Sequence, residues 1–267
     1  MTQVFEQYIT SRDNPFFKEL RKLSKDNLAY RKYKKFWVEG EHLCLAAIYR
    51  KVKPILGVFS ESGWLKASHS FRDFALNNFV IPDVLFNEIS SLESPSNMGF
   101  IFPLNPQPLL EDFTNTVILD GVQDAGNVGA ILRSASAFGF KQVVALKGSA
   151  ALWSVKVLRA GMGAHFGLSL LESVVTYELK DLKMPILVTS SHSNLQLEQA
   201  VSDNLLPSKC AWVFGNEGKG VSKELFNLSA LQLAIAQPGG EESLNVTAAA
   251  AICMYTSSLN SLRKKLI

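Results

Sequence analysis

Little in this sequence points to an oxidising compartment, a membrane or a metal. Of its 267 residues only three are cysteine, Cys44, Cys210 and Cys253. An odd number, far apart and without ligand spacing, suggests neither a disulfide framework nor a zinc site, so a reducing compartment fits best. Long apolar runs are also missing, and no stretch reaches the roughly 18 uninterrupted apolar residues that a membrane-spanning helix needs. The opening MTQVFEQYITSRDNP sets acidic and polar residues where a signal peptide requires an apolar run. The expectation is a soluble cytoplasmic protein with no membrane partner. His42, His69, His165 and His192 lack the mutual spacing of metal ligands or of a triad, so no metal is expected. Internal repeats and low-complexity tracts are absent. Charge of one sign is scarce too: 27 Lys and Arg against 24 Asp and Glu leave +3, too little by itself to imply a polyanionic partner.

What is present is apolar material, 47% of the residues against 19% charged, which suits buried cores rather than disorder. The length favours two domains over one core. Pro95, Pro103, Pro106 and Pro108 crowd one stretch with Ser94, Asn97 and Gly99. Each proline removes an amide donor and biases its predecessor away from helix, so a boundary is expected there. We divide the chain into a first domain at 1–100, a linker at 101–110 and a second domain at 111–267. Before the boundary, basic helical material precedes apolar runs at 36–38, 55–59 and 79–81, consistent with strands of a small α/β domain. After it, runs at 116–119, 142–146, 166–171, 186–189, 211–214 and 231–236 alternate with helix-like intervals. That rhythm predicts a mostly parallel sheet covered by helices, with ligands at the carboxyl ends of its strands.

Three segments of the second domain carry chemistry-bearing residues. In DGVQDAGNVGAILRSASAFGF, residues 120–140, a helix can bury Val128, Ile131, Leu132, Ala135 and Phe138 while Arg133 faces away from the core. In WVFGNEGKGVS, residues 212–222, an apolar run meets three glycines around Asn216 and Glu217, so main-chain groups can approach a ligand. Val213 and Gly220 break the nucleotide-triphosphate P-loop pattern, and the glycines at 161–167 miss the dinucleotide fingerprint in spacing and in context. These failures disfavour a kinase or a nucleotide-dependent oxidoreductase. In IAQPGGEESLNVTAAAAICMY, residues 235–255, Pro238 and two glycines end a strand, Ser243 is the expected helix cap, and Ser243 with Asn245 reads as a buried polar pair.

Together these segments resemble the three motifs of the SpoU (TrmH-like) branch of the SPOUT methyltransferases: NVGAILR from Asn127 to Arg133, FGNEGKG around Gly215, Asn216 and Glu217, and PGGEESLNV through Ser243, Leu244 and Asn245. The amino-terminal ITSRDNPFFKELRKL and VEGEHL are similar to the substrate-binding domain often fused to SpoU enzymes, which has the fold of a ribosomal RNA-binding protein. The resemblance implies an S-adenosyl-methionine-dependent RNA ribose 2′-O-methyltransferase, with a parallel α/β domain threading a deep trefoil knot that ordinary topology rules would reject. Ribosomal RNA is the implied substrate. Transfer RNA, or a non-catalytic RNA-binding or ribosome-assembly role for the same fold, is the alternative. The cofactor would be held through main-chain groups at Gly215, Ile235 and Leu244, with Asn216 shaping the loop and Thr189 as a further contact. Arg133 carries over as the catalytic arginine, with Asn127, Glu217, Ser243 and Asn245 orienting it and the ribose. Many relatives carry Ile-Pro-Met where this chain has Ile235-Ala236-Gln237. A homodimer with the active site near the partner subunit is also implied.

Between Arg12 and Lys35 nine basic residues face three acidic ones, an excess larger than the whole chain's net charge. Arg12, Lys18, Arg21, Lys22 and Arg31 are therefore candidates for contact with RNA phosphates, joined by Arg159. The neighbouring Tyr30, Tyr33, Phe36 and Trp37 are read as core residues.

Overall fold

The computed structural model describes residues 4–240 and 243–266. Glu241 and Glu242 of the third motif lie outside them. By compactness the chain forms two units: one runs up to Pro106 and takes in Trp153–Phe166, and the other comprises Gln107–Leu152 and the chain from Gly167 onward.

The first unit holds a five-stranded sheet of β1 (Phe5–Tyr8), β2 (Lys35–Glu39), β3 (Leu56–Ser60), β4 (Asn77–Ile81) and β5 (Met98–Pro103), ordered β1-β4-β3-β5-β2. β1, β4 and β3 run parallel, and β5 is antiparallel to both β3 and β2. The helix Pro15–Lys25 starts where Asn14 accepts the Phe16 amide at 2.9 Å, with proline at the first position where its missing donor costs nothing. Phe17, Leu20 and Leu23 bury one face of it against Phe86 and Ile89, leaving the lysines and Arg21 outside. β5 enters the stretch expected to be linker, because Pro103 stands at its exposed last position, where a missing donor is tolerated. Trp153 packs on Phe36 with centroids 4.6 Å apart, and Phe166 on Phe102 at 5.1 Å.

The second unit is a six-stranded sheet of β6 (Thr116–Asp120), β7 (Gln142–Leu146), β8 (Ser169–Val174), β9 (Ile186–Thr189), β10 (Ala211–Gly215) and β11 (Leu231–Leu233), in the order β11-β9-β10-β6-β7-β8. Every pairing is parallel. Helices cover both faces, which is why β10 and β6 read as continuous apolar runs instead of alternating ones. The helix Ala125–Ala137 is capped by Asp124 through the Asn127 amide at 2.7 Å and buries Val128, Ile131, Leu132 and Ala135. The helix Val246–Leu266 packs beside it, with Tyr255 against Phe138 at 5.6 Å. Trp212 is fully buried on β10 and donates to Ser257 of that helix at 2.8 Å.

Three local expectations need correction. The run at 166–171 is not one strand: Ala164–Gly167 is a 3-10 turn and β8 starts at Ser169, because Phe166 serves the first unit's core and Leu170 the second's. The run at 231–236 pairs as a strand only to Leu233, followed by a single bridge between Ala234 and Gln196. Asn245 rather than Ser243 organises the start of the last helix, its Oδ1 accepting the Thr247 amide at 2.8 Å, and both residues are exposed rather than buried. No helix of the described residues is long and apolar enough to cross a membrane.

Candidate active site

The carboxyl ends of β6, β9, β10 and β11 bring the glycine-rich segments to one end of the parallel sheet, where open α/β sheets bind their ligands. β10 ends at Gly215, in register with Asp120 at the end of β6. Beyond it the chain doubles back: the Asn216 amide donates to the Gly220 carbonyl at 3.1 Å, and the Gly220 amide returns the bond at 2.8 Å. Gly220 takes φ +68°, a conformation L side chains resist. A side chain at Gly215 would drive into the main chain of Gly220 and Val221, so glycine is the residue that lets strand and loop meet there.

Asn216 holds this loop from inside. Its Nδ2 donates to the Gly121 carbonyl at 2.9 Å, and its Oδ1 accepts the Gly218 and Lys219 amides, each at 3.0 Å. Asp120 anchors the far side by accepting the Ser222 amide at 2.7 Å. Sequence reasoning missed Asp120, although a carboxylate ending an apolar run was the available signal.

The loop forms one wall of a cavity of about 350 Å3 that also meets Thr189 and Ser190 after β9, Leu233 and Ile235 after β11, and Ser243, Leu244 and Asn245 before the last helix. That volume lies within the roughly 300–1,000 Å3 typical of small-molecule sites. Of the sequence candidates, Gly215, Asn216, Glu217, Ile235, Leu244, Ser243, Asn245 and Thr189 all line it. Gln237 lines it too, and its Oε1 is shut off from water with no hydrogen-bond partner among the described residues.

Asn127 and Arg133 do not line the cavity. Asn127 reaches it indirectly, its Nδ2 donating to Glu217 Oε1 at 2.9 Å and so tying the first motif to the second. Arg133 is exposed on the outer face of the Ala125–Ala137 helix, and among the described residues no hydrogen bond or ion pair engages it. No group of three or more His, Cys, Asp or Glu among the described residues is arranged to hold a metal ion.

The basic candidates of the first unit differ in their engagements. Arg12 pairs with Glu88, Lys18 with Asp13 at 2.9 Å, Arg31 donates to the Tyr30 hydroxyl at 3.0 Å, and Arg159 to the Ser91 carbonyl at 2.9 Å. Arg21 and Lys22 stand exposed on the helix Pro15–Lys25 with no ion-pair partner among the described residues. Tyr30, Phe36 and Trp37 are buried.

Comparison with known proteins follows the same lines. Residues 114–255, more than half of the chain, match the SpoU rRNA Methylase family. The 23S rRNA (guanosine(2553)-2′-O)-methyltransferase RlmP of Bacillus subtilis is 29% identical over 225 residues, covering 82% of this chain and 87% of that protein. The mitochondrial rRNA methyltransferase 3 of the mouse is 32% identical over 151 residues, 52% of this chain, which spans only 35% of that longer protein. Among solved structures, the SpoU methyltransferase AviRb of Streptomyces viridochromogenes, in complex with the cofactor AdoMet, superposes with a TM-score of 0.80 at 20% identity over 95% of this chain and 98% of that one. At that identity the superposition speaks for the fold.

Proposed function

The chain belongs to the SpoU rRNA methylase family, and from that premise we propose that it transfers a methyl group from S-adenosyl-methionine to a ribose 2′-hydroxyl of ribosomal RNA. The observation that carries this reading is the convergence of the second and third glycine-punctuated segments on one cavity, with the first tied in through Asn127 and Glu217. The residues present suit the cofactor. Gly215 lets main chain form the wall directly, Phe214, Leu233, Ile235 and Leu244 offer apolar surface to a flat base, and Thr189, Ser190 and Glu217 offer polar partners. When bound, the cofactor supplies a sulfonium-activated methyl group. Gly215, Ile235 and Leu244 would hold it, with Thr189 beside them and Asn216 fixing the loop.

Ribose and phosphate are the task of the remaining side chains. Glu217, Ser243 and Asn245 stand exposed at the cavity mouth, suited to orienting a sugar, and Asn127 fixes the Glu217 carboxylate. Positioning of this kind can supply much of the rate. The guanidinium of Arg133 would pair with a phosphate and stabilise the alkoxide developing on the ribose, while phosphate or water accepts the proton.

Because Arg133 stands outside the cavity of its own chain, we assign the working enzyme as a homodimer in which Arg133 of the partner subunit completes each site. Support comes from the helix Val246–Leu266, which exposes Ile252, Tyr255, Leu259 and Leu262 at alternating four- and three-residue spacing, Tyr255 by 51% and Leu262 by 55%. The first unit is assigned to RNA binding, with Arg21 and Lys22 as phosphate contacts, and the second to catalysis within a trefoil knot, in keeping with the parallel sheet.

Single-turnover methylation of ribosomal RNA by Arg133→Ala and Arg133→Lys tests the assignment. Both should be slowed by orders of magnitude, and near wild-type rates in both would sink it. Mapping ribose methylation in RNA from cells with and without the protein identifies the nucleotide.

A further inference from the structure

Gln237 is a polar cavity residue whose chemistry the proposed reaction leaves unused. Its amide oxygen is closed off from water and accepts no hydrogen bond among the described residues, although its side chain lines the cavity. Buried amide groups are nearly always paired, and an unpaired one carries a desolvation penalty that a donor would relieve. Bulk water does not reach this oxygen. That holds for the observed orientation; a turn about the terminal torsion of the side chain, which is broad and soft, brings the oxygen to the cavity, where a donor on the occupant takes the place of water.

On the reading that this occupant is S-adenosyl-methionine, the donors available are the adenine 6-amino group, the ribose hydroxyls and the methionine ammonium. The last two have better partners elsewhere: Glu217 is the anionic group of the lining among the described residues, and Thr189, Ser190, Ser191 and Ser243 supply hydroxyls. Gln237 shares the cavity's lining with Ile235, Leu233 and Phe214, the apolar surface suited to a planar base. A neutral amide acceptor among such residues matches a neutral exocyclic amine. We propose that Gln237 is a specificity-determining residue that accepts a hydrogen bond from the 6-amino group of the cofactor's adenine, so that this chain reads by side chain the group that distinguishes adenine from other purines.

The test is a binding cycle by titration calorimetry on the full chain, using S-adenosyl-methionine and its analogue with hydrogen in place of the 6-amino group, each against wild type and Gln237→Met. Wild type should bind the deamino analogue roughly 3- to 10-fold more weakly, the span of one neutral hydrogen bond. Gln237→Met should bind both within about twofold of one another, since no partner remains to be lost. Its ligand-free form should also melt at a higher temperature than wild type, because the unpaired oxygen is gone. Equal penalties for the missing amine in wild type and variant, or equal weakening of both ligands by the substitution, would overturn the role of Gln237 while leaving the cofactor assignment intact. Failure of wild type to bind S-adenosyl-methionine at all would overturn both.

Discussion

Replacing Gly215 with alanine adds one methyl group at the point where strand β10 and the return loop touch. The new Cβ would meet the Gly220 carbonyl carbon and oxygen and the Val221 nitrogen, all closer than real Cβ atoms come. These are main-chain atoms held by the reciprocal Asn216–Gly220 bonds of 3.1 and 2.8 Å, so no side chain can rotate out of the way. Overpacking of this kind costs about 1–3 kcal/mol. Two backbone bonds worth about 1 kcal/mol each are at risk with it, which puts Gly215→Ala near the upper end. Since Asn216, Glu217, Gly220 and Val221 all line the cavity, their displacement should weaken S-adenosyl-methionine by at least about tenfold, the equivalent of 1.4 kcal/mol. Gly239 supplies the control. It belongs to the third motif, yet among the described residues a Cβ there meets nothing within 4 Å and its backbone is not in the left-handed region, so Gly239→Ala should stay within about 0.5 kcal/mol of wild type. Urea unfolding and calorimetry read the two quantities. Unchanged stability and affinity in Gly215→Ala would refute the close approach, and equal losses in both variants would show that steric geometry is not the cause.

Other consequences are equally direct. Ser257→Ala should cost about 1–3 kcal/mol in chemical denaturation, because it leaves the buried Trp212 indole nitrogen without its acceptor; a neutral result would mean that the Trp212–Ser257 contact is not made. Burial pushes the Cys210 thiol up to about 12 and raises those of Cys44 and Cys253 further, so a thiol reagent at about pH 8 should label none of the three until the protein unfolds. Hydrogen bonds from the Ser60 hydroxyl and the Ser62 amide hold the Asp83 carboxyl below its ordinary 3.8. Its contribution to stability is therefore present above that value and lost as pH falls through the lower folded one, and Asp83→Asn should flatten this part of the acid limb of a stability–pH curve. Removing Arg21 and Lys22 together should reduce the slope of log affinity for RNA against log salt by roughly 1–2, and an unchanged slope would place the phosphates elsewhere.

The sequence carried most strands of the second unit because a strand buried on both faces reads as an apolar run, and the strands at 142–146 and 186–189 need nothing but that signal, while β1, exposed along its length, left none. It carried the loop at Gly215 because glycines at strand ends are costly unless main chain must come close, as Gly215 does, whereas Ile235, Leu244 and Thr189 followed only from the family resemblance. What it could not carry were distinctions decided by packing at a distance. The run at 166–171 reads as one apolar stretch, but Phe166 packs on Phe102 while Leu170 joins β8, a division that only the two compact units define. Ser243 and Asn245 are both good caps, and the choice fell to the one whose oxygen reaches the Thr247 amide.

Arg133 shows the same limit in the opposite direction. The helical wheel placed it on the outer face, where it stands, but periodicity says only which side of a helix is free, not what arrives there. On the proposed reading, the Arg133 guanidinium, which is not part of its own chain's cavity lining, meets the ribose through a second surface that brings the two together. The exposed apolar row from Ile252 to Leu262 lies on the helix that packs against Arg133's own, and on that same reading it supplies such a surface. Ile252→Asp combined with Leu259→Asp should therefore give a monomer by sedimentation that still binds S-adenosyl-methionine but no longer methylates. A monomer that retained full single-turnover methylation would show that Arg133 reaches the ribose without a partner subunit.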